Sequence, residues 1–395
     1  MARFRWFVPL LWCIAATATG QAPQTESGQA PAAAHPTLIP RSHEQREARY
    51  RALHHIILNV LAVDEFDRPA NELKAEDFVL LDNGQPQELA SFRKVNADRS
   101  IAPPHVVIIL DALNNSRISI GFQIKEIDKY LGSNQQRLIY PTSIATLTTS
   151  GFNSTHPSID PSALLLESQS LLKDIHPYQC KSSSDEAANA QPLSGNGNAN
   201  FGLSFDKISD TDCLNERFTV SLTALSDFAV EQKNVLGRVI VIWIGPGWPL
   251  LTGPEFHPDT AEIKTNFFDH IVQLSSNLRE AQVTVDAVSS PDLSRKPELQ
   301  SVHLKSLAEG PHTEDEATAS SMGLHAIAIQ SGGRITEGNS IADQIARCVA
   351  DVKTYYALSF DSIPSSKPDE YHSLQVKVNK PGVKAFTNTL YYGEP

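Results

Sequence analysis

The chain has 395 residues, enough for two or three domains, and its 41% hydrophobic and 20% charged content suits a folded protein with a sizeable core. Its 45 acidic against 33 basic residues leave a net charge of −12. That balance excludes a nucleic-acid surface, which needs clustered Lys and Arg to track phosphates.

Residues 1–22 read as an export signal. Arg3 and Arg5 form a short positive region, Phe7 to Ala16 an apolar run, and Ala16, Ala18 and Gly20 supply small residues. The run is short of the about 20 apolar residues a membrane span needs, and no later stretch is longer. Cys13 follows Trp12 inside the run, which argues against a lipoprotein anchor. A secreted, periplasmic or cell-envelope location is therefore expected, with no transmembrane anchor after signal cleavage. Residues 23–50, rich in Gln, Ala, Pro and Ser, read as a disordered linker.

Residues 51–97 carry a β pattern. Ile56, Leu58, Val60 and Ala62 alternate along one strand, Asp67-Arg68-Pro69 turns, and Leu73 to Asp77 forms a single helical or turn segment. A strand from Phe78 to Leu81 ends at Asp82-Asn83-Gly84, where Asn-Gly favours the positive φ of a tight hairpin, and a strand from Glu88 to Lys94 follows.

After Pro103-Pro104 the pattern changes. Apolar strands at His105–Leu110, Ser143–Thr149, Arg238–Ile244, Val283–Val288 and Gly333–Ile335 alternate with helical spacing. The helices fall at Ile118–Leu131, Ala163–Leu172, Phe218–Leu236, Thr260–Arg279, Leu324–Gln330 and Ile341–Val352. That alternation predicts an α/β fold over residues 103–353, a doubly wound, Rossmann-like parallel sheet. Residues 177–212, rich in Ser, Asn and Gly, read as an exposed insertion that a Cys180–Cys213 disulfide would close. Cys348 lies in a helical pattern and reads as a small buried residue.

Residues 354–395 return to β alternation, at Tyr355–Phe360, Leu374–Lys380 and Val383–Leu390, with Pro381-Gly382 as a turn. Neither β segment has enough strands to bury a face alone. The N- and C-terminal segments are expected to form a small β-sandwich flanking the α/β region, with two independent appendages as the alternative.

Ligands of open parallel sheets bind at the carboxyl ends of the strands. The first such loop reads Asp111-Ala112-Leu113-Asn114-Asn115-Ser116, and a later one reads Gly245-Pro246-Gly247-Trp248. An apolar strand ending in Asp before a helix, with a later Gly-rich strand end, resembles a von Willebrand factor A (vWA) domain. That resemblance implies an Asp-x-Ser-x-Ser loop which, with a threonine and an aspartate from later loops, binds a divalent cation through hard oxygens. Here Asp111 matches, Leu113 and Asn115 occupy the serine positions, and the Gly245–Trp248 loop lacks the aspartate. The donors left are Asp111, Asn115 and Thr149 (or Thr148), at best a weak Mg²⁺ or Ca²⁺ site, so no cofactor is expected. Asp111 acting as a helix cap or hydrogen-bond acceptor is the structural alternative, and catalysis a third.

The resemblance narrows to the vWA-related proteins first noted in Acidobacteria. Arg68, Pro69, Leu73, Glu76, Asp77, Phe78, Asp82, Gly84, Gln87 and Phe92 match their opening pattern. Ser331-Gly332-Gly333-Arg334, Asn339, Tyr355-Tyr356 and the closing PGVKAFTNTLYY match their end. No assigned activity comes with this resemblance.

Trp248, with Gly247 and Asn114, is the candidate partner-binding group, because Trp is favoured at interface hot spots; packing on the sheet rim is the alternative. Gly332-Gly333 reads as a helix-to-strand turn, Asn153-Ser154-Thr155 fits a glycosylation sequon, and His54, His55 and His105 are expected at the surface. There is no HExxH and no GxSxG. The function expected is an exported, non-enzymatic binding or adhesion module for a protein or other envelope partner. A metal-dependent adhesion or sensing domain is the second reading.

Overall fold

The computed structural model describes residues 54–134, 137–173, 175, 202–249, 261–289 and 307–395. The expected signal, the linker, Cys180 and most of the 177–212 segment lie outside them. In chain order the strands are β1 His55–Val63, β2 Phe78–Asp82, β3 Gln85–Gln87, β4 Ser91–Asn96, β5 His105–Asp111, β6 Thr142–Thr148 and β7 Gly151–Ser154. Then come β8 Val239–Ile244, β9 Val283–Ser289, β10 Ile335–Glu337, β11 Thr354–Asp361, β12 Glu370–Val378, β13 Lys384–Phe386 and β14 Leu390–Gly393. The helices are α1 Arg117–Ser133, α2 Pro161–Lys173, α3 Gly202–Gln232, α4 Ala261–Glu280, α5 Leu324–Gln330 and α6 Ile341–Asp351.

The fold is mixed α/β around a parallel-strand sheet. Six strands lie in the order β10-β9-β8-β5-β6-β7, all parallel except β7, which pairs antiparallel with β6. The continuous apolar runs of β5 and β8 follow from burial on both faces. Val106, Ile108 and Leu110 pack with Ile120, Ile127 and Leu131 of α1 and Ile341 and Ile345 of α6. Val107 and Ile109 point the other way, into a cluster with Phe218 and Leu225 of α3, Ile271 and Leu274 of α4 and Ile327 of α5. β5 is central, with β6 on one side and β8 on the other, so the order in which strands are added to the sheet reverses across β5. The carboxyl ends of β5 and β8 are where such sheets open a crevice.

The remaining strands form two four-stranded antiparallel sheets, β13-β1-β11-β4 and β14-β12-β2-β3. Each mixes strands from before β5 with strands from after α6: His55 of β1 sits opposite Asp361 of β11, and Phe78 of β2 opposite Val378 of β12. Both sheets contribute to one hydrophobic cluster. Ile56, Leu58, Val60, Tyr356 and Phe360 come from the first, and Phe78, Leu80, Leu374, Val376 and Tyr391 from the second. Tyr356 is 1% exposed; its hydroxyl donates to the Ala70 carbonyl at 2.7 Å and accepts from the Leu73 amide at 3.1 Å.

Several boundaries differ from expectation. The strand expected at Glu88–Lys94 is shifted to β4, Ser91–Asn96, and a short extra strand, β3, precedes it and belongs to the other sheet. The last foreseen strand splits into β13 and β14, which serve different sheets. α3 starts at Gly202, inside the expected insertion. β7 was not foreseen, since Gly-Phe-Asn-Ser carries no alternation; Gly151 enters it at φ +87°. Asn83 and Gly84 do take positive φ (47° and 77°) between β2 and β3. His54 is buried at 4% exposure, not at the surface. Among the described residues, no helix is long and apolar enough to cross a membrane.

Candidate functional site

β5 delivers Asp111 to the crevice position, where it is 0% exposed. An ionised carboxylate there needs compensating donors. The Asn114 backbone N–H donates to Oδ1 at 2.9 Å, the Asn114 side-chain amide faces Oδ1 and Oδ2 at 3.0 Å each, and Trp243 Nε1 of β8 donates to Oδ2 at 3.2 Å. Burial pushes the Asp111 carboxyl up to about 6, against the opposing pull of these bonds and the Arg217 charge. The same Asn114 amide reaches Ser221 Oγ at 3.0 Å, and Asn114 Oδ1 accepts from Arg217 Nε at 3.2 Å. Arg217 and Ser221 lie one turn apart on α3, more than 100 positions along the chain, and only the fold brings them to this loop.

Asn115 faces away from the carboxylate. Its Nδ2 donates to the Asp111 carbonyl at 2.7 Å, and its Oδ1 accepts from Gln123 Nε2 at 3.3 Å. Ser116, not Asp111, caps α1: its side chain accepts from the Ser119 amide at 3.2 Å. Asp111 instead holds its own loop closed. From β8, Gly245 at φ +152° seals the crevice, and a Cβ there would stand 2.7 Å from Asn115 Nδ2 and 3.1 Å from Asp111 Cβ.

These residues do not fit Mg²⁺ or Ca²⁺. Such ions need several oxygens with free lone pairs at about 2.0–2.6 Å. Both Asp111 oxygens already face N–H groups, and Leu113 is 2% exposed in the core cluster with Trp243. Thr149 is exposed in the β6–β7 turn, and Thr148 Oγ1 lies 2.9 Å from Ser150 Oγ. Among the described residues no three His, Cys, Asp or Glu are grouped to hold a metal.

The expected partner-binding residues lie inside the molecule. Asn114 is 7% exposed. Gly247, at φ +74°, is buried against Leu324, whose Cβ lies 2.7 Å from where a Gly247 Cβ would be. Trp248, read from sequence as an exposed anchor, is 4% exposed. Its Nε1 donates to the Met322 carbonyl at 2.9 Å and its ring packs edge-on against Trp243 at 5.3 Å, so contacts from distant segments draw it inward. What the rim does expose is Ile118 (86%) and Phe122 (40%), one turn apart at the start of α1, and Pro246 on the neighbouring loop. Cys213 is buried and disulfide-bonded, while Cys348 is buried and free.

Two further polar clusters are assembled from segments far apart in the sequence. At the foot of α6, Arg334 pairs with Asp351 at 2.8 Å and Asp67 at 3.0 Å, and its amide donates to Asp286 Oδ1 at 2.8 Å. Burial pushes Asp286 up to about 6. A small cavity of about 20 Å³ beside them is lined by Arg238, Thr284 and Cys348 among others. In the second cluster, His372 Nδ1 lies 2.9 Å from Asp82 Oδ1, His372 Nε2 lies 3.1 Å from Ser365 Oγ, and the Tyr391 hydroxyl donates to Asp82 Oδ2 at 2.7 Å. The atoms are those of a Ser-His-Asp relay. Yet Ser365 Oγ is shielded, since a Cβ on Gly393 would stand only 2.1 Å away. The array clamps β2 to β12 and β14.

No family model and no curated protein matches the chain. Among solved structures, it is similar to an aerotolerance-related membrane protein from Bacteroides fragilis NCTC 9343 carrying multiple mutations to serines. The identity is 15% over 62% of this chain and 98% of that one, with a TM-score of 0.26. It is also similar to three N-terminal domains of the type V pili tip protein Mfa5 from Porphyromonas gingivalis, at 11% identity over 62% of this chain and 36% of that one, with a TM-score of 0.19. At these scores neither likeness bears on function.

Proposed function

We propose that the protein is an exported, non-enzymatic binding module of von Willebrand factor A type. In this reading the two four-stranded sheets form a small β-sandwich beside the α/β layer, and the carboxyl-end rim of the parallel sheet meets a protein partner at the cell envelope. The observation that carries it is the exposure of Ile118 and Phe122 on the first turns of α1, beside Pro246. Paired apolar side chains at a strand-end rim mark a contact surface better than isolated ones do. The anchor thus moves from Trp248 to the start of α1. The alternative, metal-dependent adhesion or sensing, has the occupied hydrogen-bonding positions of Asp111 against it.

The test is capture from envelope extract on the immobilised wild-type chain and on an Ile118→Asp/Phe122→Asp variant. Both positions are exposed, so the variant should melt close to wild type, within about 0.5 kcal/mol of stability per site. Proteins retained by wild type should be lost from the variant. Recovery of the same proteins by both would remove the rim from the reading.

A further inference from the structure

The crevice between β5 and β8 already contains a donor supplied by the chain. We infer that the side-chain amide of Asn114, backed by the Arg217 guanidinium, is the built-in occupant of this crevice, filling the place a cation would take beside Asp111. Three oxygens surround Asn114 Nδ2 at 3.0 Å: Asp111 Oδ1, Asp111 Oδ2 and Ser221 Oγ. An amide N–H group ringed by oxygens does the electrostatic work of a small cation, with partial rather than full charge.

The missing charge comes from behind. Asn114 Oδ1 accepts from Arg217 Nε at 3.2 Å, which polarises the amide toward the carboxylate. Asp111 and Arg217 are therefore an ion pair bridged by one amide. Ser221 is aimed by its own bond, its Oγ donating to the Arg217 carbonyl at 2.7 Å, so its lone pairs turn to Asn114. Trp243 and Gly245 close the remaining sides. An entering ion would have to expel the amide and break its three contacts at once. In consequence α3 is tied permanently to the loop before α1, and the rim keeps its shape without metal. This assignment stands apart from the partner-binding reading, and no part of its test uses a partner.

Asn114→Asp replaces the amide by a second carboxylate of equal size. The full chain, freed of metal with EDTA, is melted with and without excess MnCl₂, and bound Mn²⁺ is counted by electron paramagnetic resonance. Wild type should show no bound Mn²⁺ and no shift in Tm. The variant should melt about 3–6 °C lower without metal, as expected when a buried charge loses its donor, then bind one Mn²⁺ and recover. If Asn114→Asp does not fold without metal, Asn114→Ser, which leaves an oxygen and room for one ion, carries the same comparison. The inference is overturned if wild type binds Mn²⁺ and Asp111→Asn abolishes that binding. It is equally overturned if neither Asn114 variant gains Mn²⁺.

Discussion

Asp111→Asn tests the burial of the site through its pH dependence. The wild-type carboxyl is held at about 6 in the fold, up from an ordinary 3.8, and the residue is fully buried, so solvent screening takes little away. A carboxyl raised in the native state binds its proton more tightly folded than unfolded. Its favourable contribution is complete below about 4, is lost as pH rises through about 6, and changes no further above that. Between about pH 4.5 and about pH 7.5 the wild-type unfolding free energy should fall by about 2 kcal/mol relative to Asp111→Asn. Any fixed penalty from placing a second amide against Asn114 is the same at each pH and drops out of that difference. Urea unfolding of both proteins across the range supplies the measurement. A difference that stays flat to within about 0.5 kcal/mol would show that Asp111 is not desolvated as described, and the picture of a sealed crevice would fail with it.

Three other substitutions probe the frame around the site. Gly333→Ala should be among the most damaging changes, at about 4 kcal/mol or more, because its Cβ would stand 2.0 Å from the Val285 carbonyl oxygen; a sharply lower Tm or loss of soluble protein checks this. Arg334→Met leaves Asp351 and Asp67 without their cation and should cost about 3–5 kcal/mol in urea unfolding, with Asp351 the more buried of the two (side chain 11% exposed against 52%). Trp248→Ala should cost about 3–5 kcal/mol as a core truncation; a variant as stable as wild type would contradict the burial of its ring.

What was legible in the sequence is what local pattern controls. The apolar runs of β5 and β8 have no polar face, and burial on both sides of a parallel sheet is the reason. Asn83-Gly84 and Gly332-Gly333 announced turns because few residues tolerate those backbone positions: Gly332 sits at φ +82°, and Gly333 closes the end of α5 by donating to the Ala328 carbonyl at 2.8 Å. The candidate site was legible as Asp111 and its loop, with Asn114 read as facing a partner and not as bonded to the carboxylate. Its partners Arg217 and Ser221 come from α3, and the sole local hint is that they lie four residues apart, flanked by the buried Phe218 and Leu225. Trp248 was misplaced for the same reason, since the Met322 carbonyl that fixes it is 74 positions away. β7 and the short β3 are set by which sheet edge is free, and no stretch of four residues encodes that.

The pairing of β1 with β11 fixes an order of events during biosynthesis. His55 and Asp361 are 306 positions apart, so β1 has no partner until about 300 further residues have been made. Closing so long a loop costs only slightly more than closing a short one, since the penalty grows with the logarithm of length, but it slows the search. The strands of the parallel sheet lie closer together in sequence and can assemble while β1, and the edge of β2 that takes β12, wait unmatched. A chain stalled before Thr354 would present those edges to any neighbouring strand. Truncation just short of β11 is thus expected to yield sticky, aggregating material with an otherwise complete parallel sheet.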